Sequence, residues 1–196
     1  MKHKLIVLEG IDGVGKTTMA RLLQKSLSKL GIPVIVYEQY EKRGKGFNAI
    51  KPFIKKETPI DASILFYAAS AVYKSHLIGT LLKKTWVICD RYAYSTFAYH
   101  RIRGANKSLV DSLEKLPIRQ PDFHFLIKVK ERIRMQRART KKMPTFQDLQ
   151  PKRKGNLIAK MEGALERFKP IVIDNSSNNV HATVQKVLRI IITRRQ

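Results

Sequence analysis

Cysteine is nearly absent: Cys89 stands alone, so no intramolecular disulfide can form, and a reducing, cytoplasmic setting is expected. Long apolar runs are missing, and none approaches the ~20 residues that span a membrane, so no membrane partner is expected. Internal repeats and low-complexity linkers are missing too, which leaves residues 1–196 as one domain. Met1–Lys4 run straight into a strand that carries a functional motif, so no cleaved leader is expected. Acidic residues are scarce: 15 Asp and Glu face 39 Lys and Arg, a net charge of +24. Charge does not choose a fold, but a surplus this large suits a polyanionic partner, nucleic acid ahead of acidic membrane. The competing explanation is a compositional bias toward Lys and Arg.

What is present is concentrated in residues 5–18, LIVLEGIDGVGKTT. An apolar, strand-length run leads into Gly10-x-x-x-x-Gly15-Lys16-Thr17, and helix formers follow at once. This strand–loop–helix context makes the phosphate-cradling P-loop pattern specific. Loop N–H groups and the helix N-terminus face a polyphosphate. Lys16 reaches the β- and γ-phosphates, and the Thr17 hydroxyl holds Mg²⁺. The nucleotide-binding set is therefore Gly10, Asp12, Gly13, Val14, Gly15, Lys16, Thr17 and Thr18, with ATP and Mg²⁺ as cofactors.

The rest of the chain repeats a β–α–β order, which indicates a parallel sheet with helical crossovers. Strands are expected at 5–8, 32–37, 86–89, 123–129 and 171–173, and helices at 19–30, 48–56, 62–82, 153–168 and from about 180. Gly104 opens a variable loop. The second strand delivers Glu38 to the sheet end where such folds bind ligands, and the third delivers Asp90-Arg91-Tyr92. Residues 131–142 are densely cationic.

These segments together resemble the thymidylate kinase family of P-loop kinases. The likeness runs over nearly the whole chain and is anchored by residues 8–18 and by Asp90-Arg91-Tyr92-Ala-Tyr-Ser95-Thr-Phe-Ala98-Tyr99. Leu65-Phe-Tyr-Ala-Ala69, Pro121-Asp122 and Val172-Ile-Asp174 are secondary anchors. The resemblance implies a three-layer α/β fold: a five-stranded parallel sheet, helices on both faces, and a mobile Arg-rich lid at about 132–150. It implies that Asp90 holds Mg²⁺ and that Arg91 clamps a phosphoryl group. Position 14 is Val, so the catalytic cation should come from the lid; Arg137 and Arg139 are the candidates, among Arg132, Arg134, Arg137 and Arg139. Asn175 should pack on adenine, and Asp12 should contact the acceptor sugar. A homodimer through the 62–82 helix is also implied.

The acceptor side departs from the family pattern. An Arg is expected near the end of the second strand, but the stretch reads Tyr37-Glu38-Gln39-Tyr40. A second Arg is expected on the long helix at Ala71; Tyr73 and Lys74 are near it, but by helical spacing face elsewhere. A buried phosphate dianion without its guanidinium costs several kcal/mol. Glu38 could serve a hydroxyl acceptor as a general base. Residues 101–160 hold 17 Lys and Arg against 5 Asp and Glu, and Tyr92, Tyr94, Phe97 and Tyr99 could stack on bases. The favoured expectation is accordingly a polynucleotide kinase acting on the 5′-hydroxyl end of RNA or DNA. The alternative is a thymidylate kinase converting dTMP, a nucleoside monophosphate, to dTDP, with Arg43, Arg101 or Arg103 replacing the missing contacts. A second alternative is a nucleic-acid-binding protein with a vestigial kinase site.

Overall fold

The computed structural model describes residues 3–38, 54, 57–139, 155–177 and 179–194. Five strands, β1 Leu5–Glu9, β2 Val34–Glu38, β3 Trp86–Asp90, β4 Phe123–Lys128 and β5 Ile171–Asp174, form one parallel sheet in the order β2-β3-β1-β4-β5. β1 lies at the centre because its run of Leu, Ile, Val and Leu tolerates cover on both faces. The pleat sends Leu5 and Val7 into one core with Val87, Cys89 and Leu126. Ile6 and Leu8 enter the other, with Ile88 and Phe125.

Helix α1 (Lys16–Lys29) directs Met19, Ala20, Leu23 and Leu27 into the second core and packs there beside α7 (Val180–Thr193). Helices α2 (Ile60–Leu81), α3 (Ala93–Ile102), α4 (Lys107–Leu113) and α6 (Gly155–Glu166) cover the opposite face. α5 (Glu131–Arg139) follows β4. This is the three-layer arrangement expected from the sequence. Among the described residues, no helix is long and apolar enough to cross a membrane.

Two local expectations change. The loop foreseen after Gly104 contains α4, which forms because the Asn106 side chain accepts a hydrogen bond from the Leu109 N–H at 3.1 Å and caps the helix. The apolar stripe of 62–82 splits: Ile64, Ala68, Ala71 and Ile78 face the core, while Leu65 and Ala69 are exposed. The helix expected over 48–56, Arg43 and the lid beyond Arg139 lie outside the described residues, apart from residue 54.

Candidate active site

The loop after β1 works only with glycine at its closest approaches. A Cβ on Gly10 would sit 2.4 Å from the Ile127 carbonyl oxygen, and Gly10 has φ +145°. Gly15, at φ +94°, caps α1 without a side chain and leaves 2.9 Å between a notional Cβ and Asn175 Nδ2. No acidic residue occupies the first turn of α1, so its N–H groups and dipole remain open to an anion. Thr17 and Thr18 are exposed at that turn. Lys16 is buried, and its Nζ donates to the Ile11 carbonyl at 2.8 Å. Burial, reinforced by the like charge of Arg91, pushes the Lys16 ammonium down to about 7; Asp90, Asp12 and Glu9 oppose the shift.

The two expected metal ligands meet. The Thr17 hydroxyl donates to Asp90 Oδ2 at 2.5 Å, joining the start of α1 to the end of β3. Arg91 follows at φ +72°, in the left-handed region, with its N–H donating to the Leu8 carbonyl at 3.0 Å. Its guanidinium pairs with Asp12 and also donates to Ser95 Oγ at 3.2 Å. Asp12 and Arg91 therefore form one unit that bridges the P-loop and the end of β3.

Glu9 organises this corner and is absent from the residues singled out in the sequence. It is fully buried at the end of β1. Oε1 accepts from the Tyr92 N–H at 2.9 Å and the Ser95 N–H at 3.2 Å, and Oε2 accepts from the Ser95 hydroxyl. Burial pushes its carboxyl above the usual range, and Arg91 leads the groups that pull it back. The carboxylate thus caps α3 from a neighbouring strand and fixes the backbone that follows Arg91. A charged residue ending an otherwise apolar buried strand was the available signal. Glu9→Ala should lose about 2 kcal/mol or more of unfolding free energy, because buried donors lose their acceptor, and Glu9→Gln should retain most of it. Urea denaturation decides this; equal losses would show that the charge, rather than the acceptor, matters.

Helix α5 brings one lid arginine to the loop. Arg137 Nη2 donates to the carbonyls of Asn175 at 2.9 Å and Ser177 at 3.1 Å, and its Nη1 comes within 3.9 Å of a notional Cβ on Gly15. Arg134 is instead buried against Gly13 and held by Glu131 at 2.7 and 2.8 Å, a structural position. Asn175 proves to be a buried strut: its side-chain amide donates to the Val14 carbonyl at 2.8 Å. The side chains of Arg139 and Glu38 lie outside the described residues; Glu38 itself ends β2.

The features that favoured a nucleic-acid acceptor fare less well. Tyr92, Tyr94 and Phe97 are core residues, and Tyr94 stacks on His124 with ring centroids 4.3 Å apart. Burial removes them as base-stacking platforms. Arg101 is held by Asp111 at 2.5 Å and Glu114 at 2.8 Å, and Arg103 donates to the Tyr99 hydroxyl at 2.6 Å. Neither substitutes for a missing acceptor arginine in this arrangement.

A glycine-rich loop between a central strand and an anion-ready helix, with Lys16 beneath it and Thr17 touching Asp90, defines a P-loop phosphotransferase. A family model described as thymidylate kinase matches residues 8–187. The chain is 29% identical over 189 residues to a probable thymidylate kinase of Methanocaldococcus jannaschii, covering 95% of this chain and 94% of that protein. It is 30% identical over 204 residues to a probable thymidylate kinase of Pyrococcus abyssi, covering 97% of each. Among solved structures, thymidylate kinase from Ehrlichia chaffeensis aligns with a TM-score of 0.69 at 25% identity, covering 97% of this chain and 100% of that one. Thymidylate kinase from Candida albicans shares the fold with a TM-score of 0.73 at 20% identity, covering 99% and 93%. The chain belongs to the thymidylate kinase family and is an ATP-dependent phosphotransferase.

Proposed function

We propose that this protein transfers the γ-phosphoryl group of ATP to dTMP, giving ADP and dTDP. The observation that carries this reading is the Asp12–Arg91 unit, which holds a guanidinium between the P-loop and the end of β3, the strand end paired with that of β2. Family membership, and relatives named thymidylate kinase, favour this alternative over the 5′-hydroxyl end of a nucleic acid.

The loop's donor set fits a nucleotide. Glycines leave no Cβ in the cradle, the α1 N-terminus is free of acid, and Thr17 with Asp90 offers oxygen donors suited to a hard cation. Thr17 and Asp90 would hold Mg²⁺, which would supply positive charge to offset the charge that develops on the transferring phosphoryl group. Lys16 holds the β- and γ-phosphates. Arg137 provides the lid cation beside the loop. Arg91 clamps the acceptor phosphate. The β–γ bridging bond breaks as an acceptor phosphate oxygen bonds to the γ-phosphorus. Because that oxygen is already anionic, no general base is required and Glu38 needs no such role.

Incubation with γ-labelled ATP and, separately, dTMP, thymidine and a 5′-hydroxyl oligonucleotide tests the reading. Label is expected to enter dTMP alone. Label in the oligonucleotide with none in dTMP would restore the polynucleotide reading, and label in no acceptor would leave the vestigial-kinase reading.

A further inference from the structure

We propose that the outer surface of α1 and α7 docks the phosphate backbone of a nucleic-acid duplex, away from the phosphate loop. The surplus of positive charge then serves a partner and not the transfer itself. This surface lies apart from the acceptor side, and the proposal goes beyond the dTMP reading.

The charge is unevenly spread. No acidic residue occurs in 13–37 or in 175–196, the stretches that contain the two helices. Both helices follow strands of one parallel sheet, so they run side by side in the same direction. They pack on the second core through Leu23, Leu27, Val184, Val187 and Ile191. Arg21, Lys25 and Lys29 on α1 are exposed, as are Lys186 and Arg189 on α7 and Arg194 at its end. Among the described residues, ion pairs engage Lys4, Arg91, Arg101, Lys128 and Arg134, and none of these six. Lys186 also acts on Asp174 at the end of β5, but that carboxyl is held below the usual range chiefly by the Ser176 hydroxyl. The opposite layer differs, because Asp111, Glu114, Glu162 and Glu166 lie there and hold Arg101 and Lys128.

Positions 21, 25 and 29 are four apart, so their side chains form one row about 12 Å long on the helix surface. Like charges at that spacing repel. Lys29, in the last turn, gains from the negative end of the helix dipole, and Arg21 and Lys25 do not. The fold itself therefore gives no reason for the row. It begins one turn beyond Thr17 and runs toward the sheet end opposite the phosphate loop, so a partner on it leaves the loop open. A duplex carries one phosphate charge per about 1.7 Å of axis, so the same length presents about seven. Such a lattice meets a row of cations without any base contact. Neither helix contains an aromatic residue, so the surface lacks the rings on which single strands stack. Among the described residues, Leu30 at the α1 C-cap is its one exposed large apolar side chain, too little to insert into a membrane.

Fluorescence anisotropy with a short labelled DNA duplex tests the assignment on wild type and three variants. The α1 variant carries Arg21→Gln, Lys25→Gln and Lys29→Gln, and the α7 variant carries Lys186→Gln and Arg189→Gln. The control carries Lys107→Gln, Lys115→Gln and Lys160→Gln, exposed cations on and beside α4 and α6. Wild-type affinity should fall steeply between about 50 and 200 mM salt. The α1 variant should bind at least about tenfold more weakly and flatten the salt slope by about two to three, since each lost phosphate contact removes about 0.9. The α7 variant should lose at least about threefold, and the control should stay within about twofold of wild type. In the α1 variant kcat and the KM for ATP should stay within about twofold of wild type, because the row lies apart from the loop. Should the α1 variant melt lower than wild type, the α7 variant tests the same surface on the other helix. A wild type that leaves the duplex unbound at the lowest salt overturns the proposal. An equal loss in the control also overturns it and returns the charge to composition. So does preferred binding of an equally long single strand, or of phosphatidylserine vesicles. Displacement of the duplex by ATP would put the duplex in the phosphate loop and overturn it as well.

Discussion

Replacing Arg91 with glycine is expected to lower kcat/KM for the acceptor by at least about 10³ while the protein melts within a few degrees of wild type. Arg91 sits at φ +72°, where a side chain costs about 1–2 kcal/mol and glycine does not. Against that gain stands the greater freedom of glycine in the unfolded chain, about 0.4–1 kcal/mol. The ion pair lost with Asp12 is worth little to the fold, because the Asp12 side chain is 44% exposed. The backbone bond from the Arg91 N–H to Leu8 survives the change. What disappears is the guanidinium fork that the proposed reaction sets against the acceptor phosphate. Arg91→Lys keeps the charge without the fork and should fall between the two. Steady-state kinetics beside thermal melting decides the matter. A glycine variant that melts many degrees lower and loses activity in proportion would make Arg91 a structural residue.

The strained backbone at Arg91 also marks what sequence reading reaches and what it misses. The phosphate loop was legible because its requirements are local: glycine where a Cβ meets the Ile127 carbonyl, an acid-free helix start, and Lys and Thr at the first helical positions. The five strands were legible for a similar reason, since apolar runs between helical segments admit few arrangements. The supports of the site were hidden because they are non-local. Glu9 reads as part of a motif, yet its function is to hold Tyr92 and Ser95, more than 80 positions away. Arg134 and Arg137 look equivalent in sequence, but Glu131 takes one and the Asn175 carbonyl the other. Aromatics near the Asp-Arg-Tyr segment read as stacking surfaces, whereas packing against β4 makes Tyr94 core. Lys74 was set aside as lying on another helical face, yet its three-residue spacing from Ala71 puts the two on one face, and both are buried. Glu9, Arg137 and Tyr94 each have a partner on another element, whereas Arg134 is held within its own helix.

Lys16 supplies the second large expectation: binding of ATP to the nucleotide-free protein should take up protons. Burial and Arg91 bring its ammonium down to about 7, whereas the ordinary lysine value is near 10.4. A polyphosphate against the ammonium favours the charged form, so the bound protein holds a proton that the free protein has largely released by pH 8. Uptake should approach about one proton at that pH, and apparent affinity should fall by up to about tenfold per unit as pH rises above 7. Titration calorimetry at pH 8 in two buffers of different ionisation enthalpy reads the uptake directly; no buffer dependence, or proton release, contradicts it. Lys16→Arg, which stays protonated, should abolish the uptake. The same shift works in the opposite sense on stability. The folded value lies below the unfolded one, so the cost is fully present below pH 7 and fades as pH rises toward 10.4. Lys16→Met should therefore raise the melting temperature of the nucleotide-free protein at pH 6–7, by about 2–4 °C for each kcal/mol relieved, and the gap should shrink by pH 10. The variant would bind nucleotide poorly while folding better, because the charge that destabilises the empty loop is the one a polyphosphate requires.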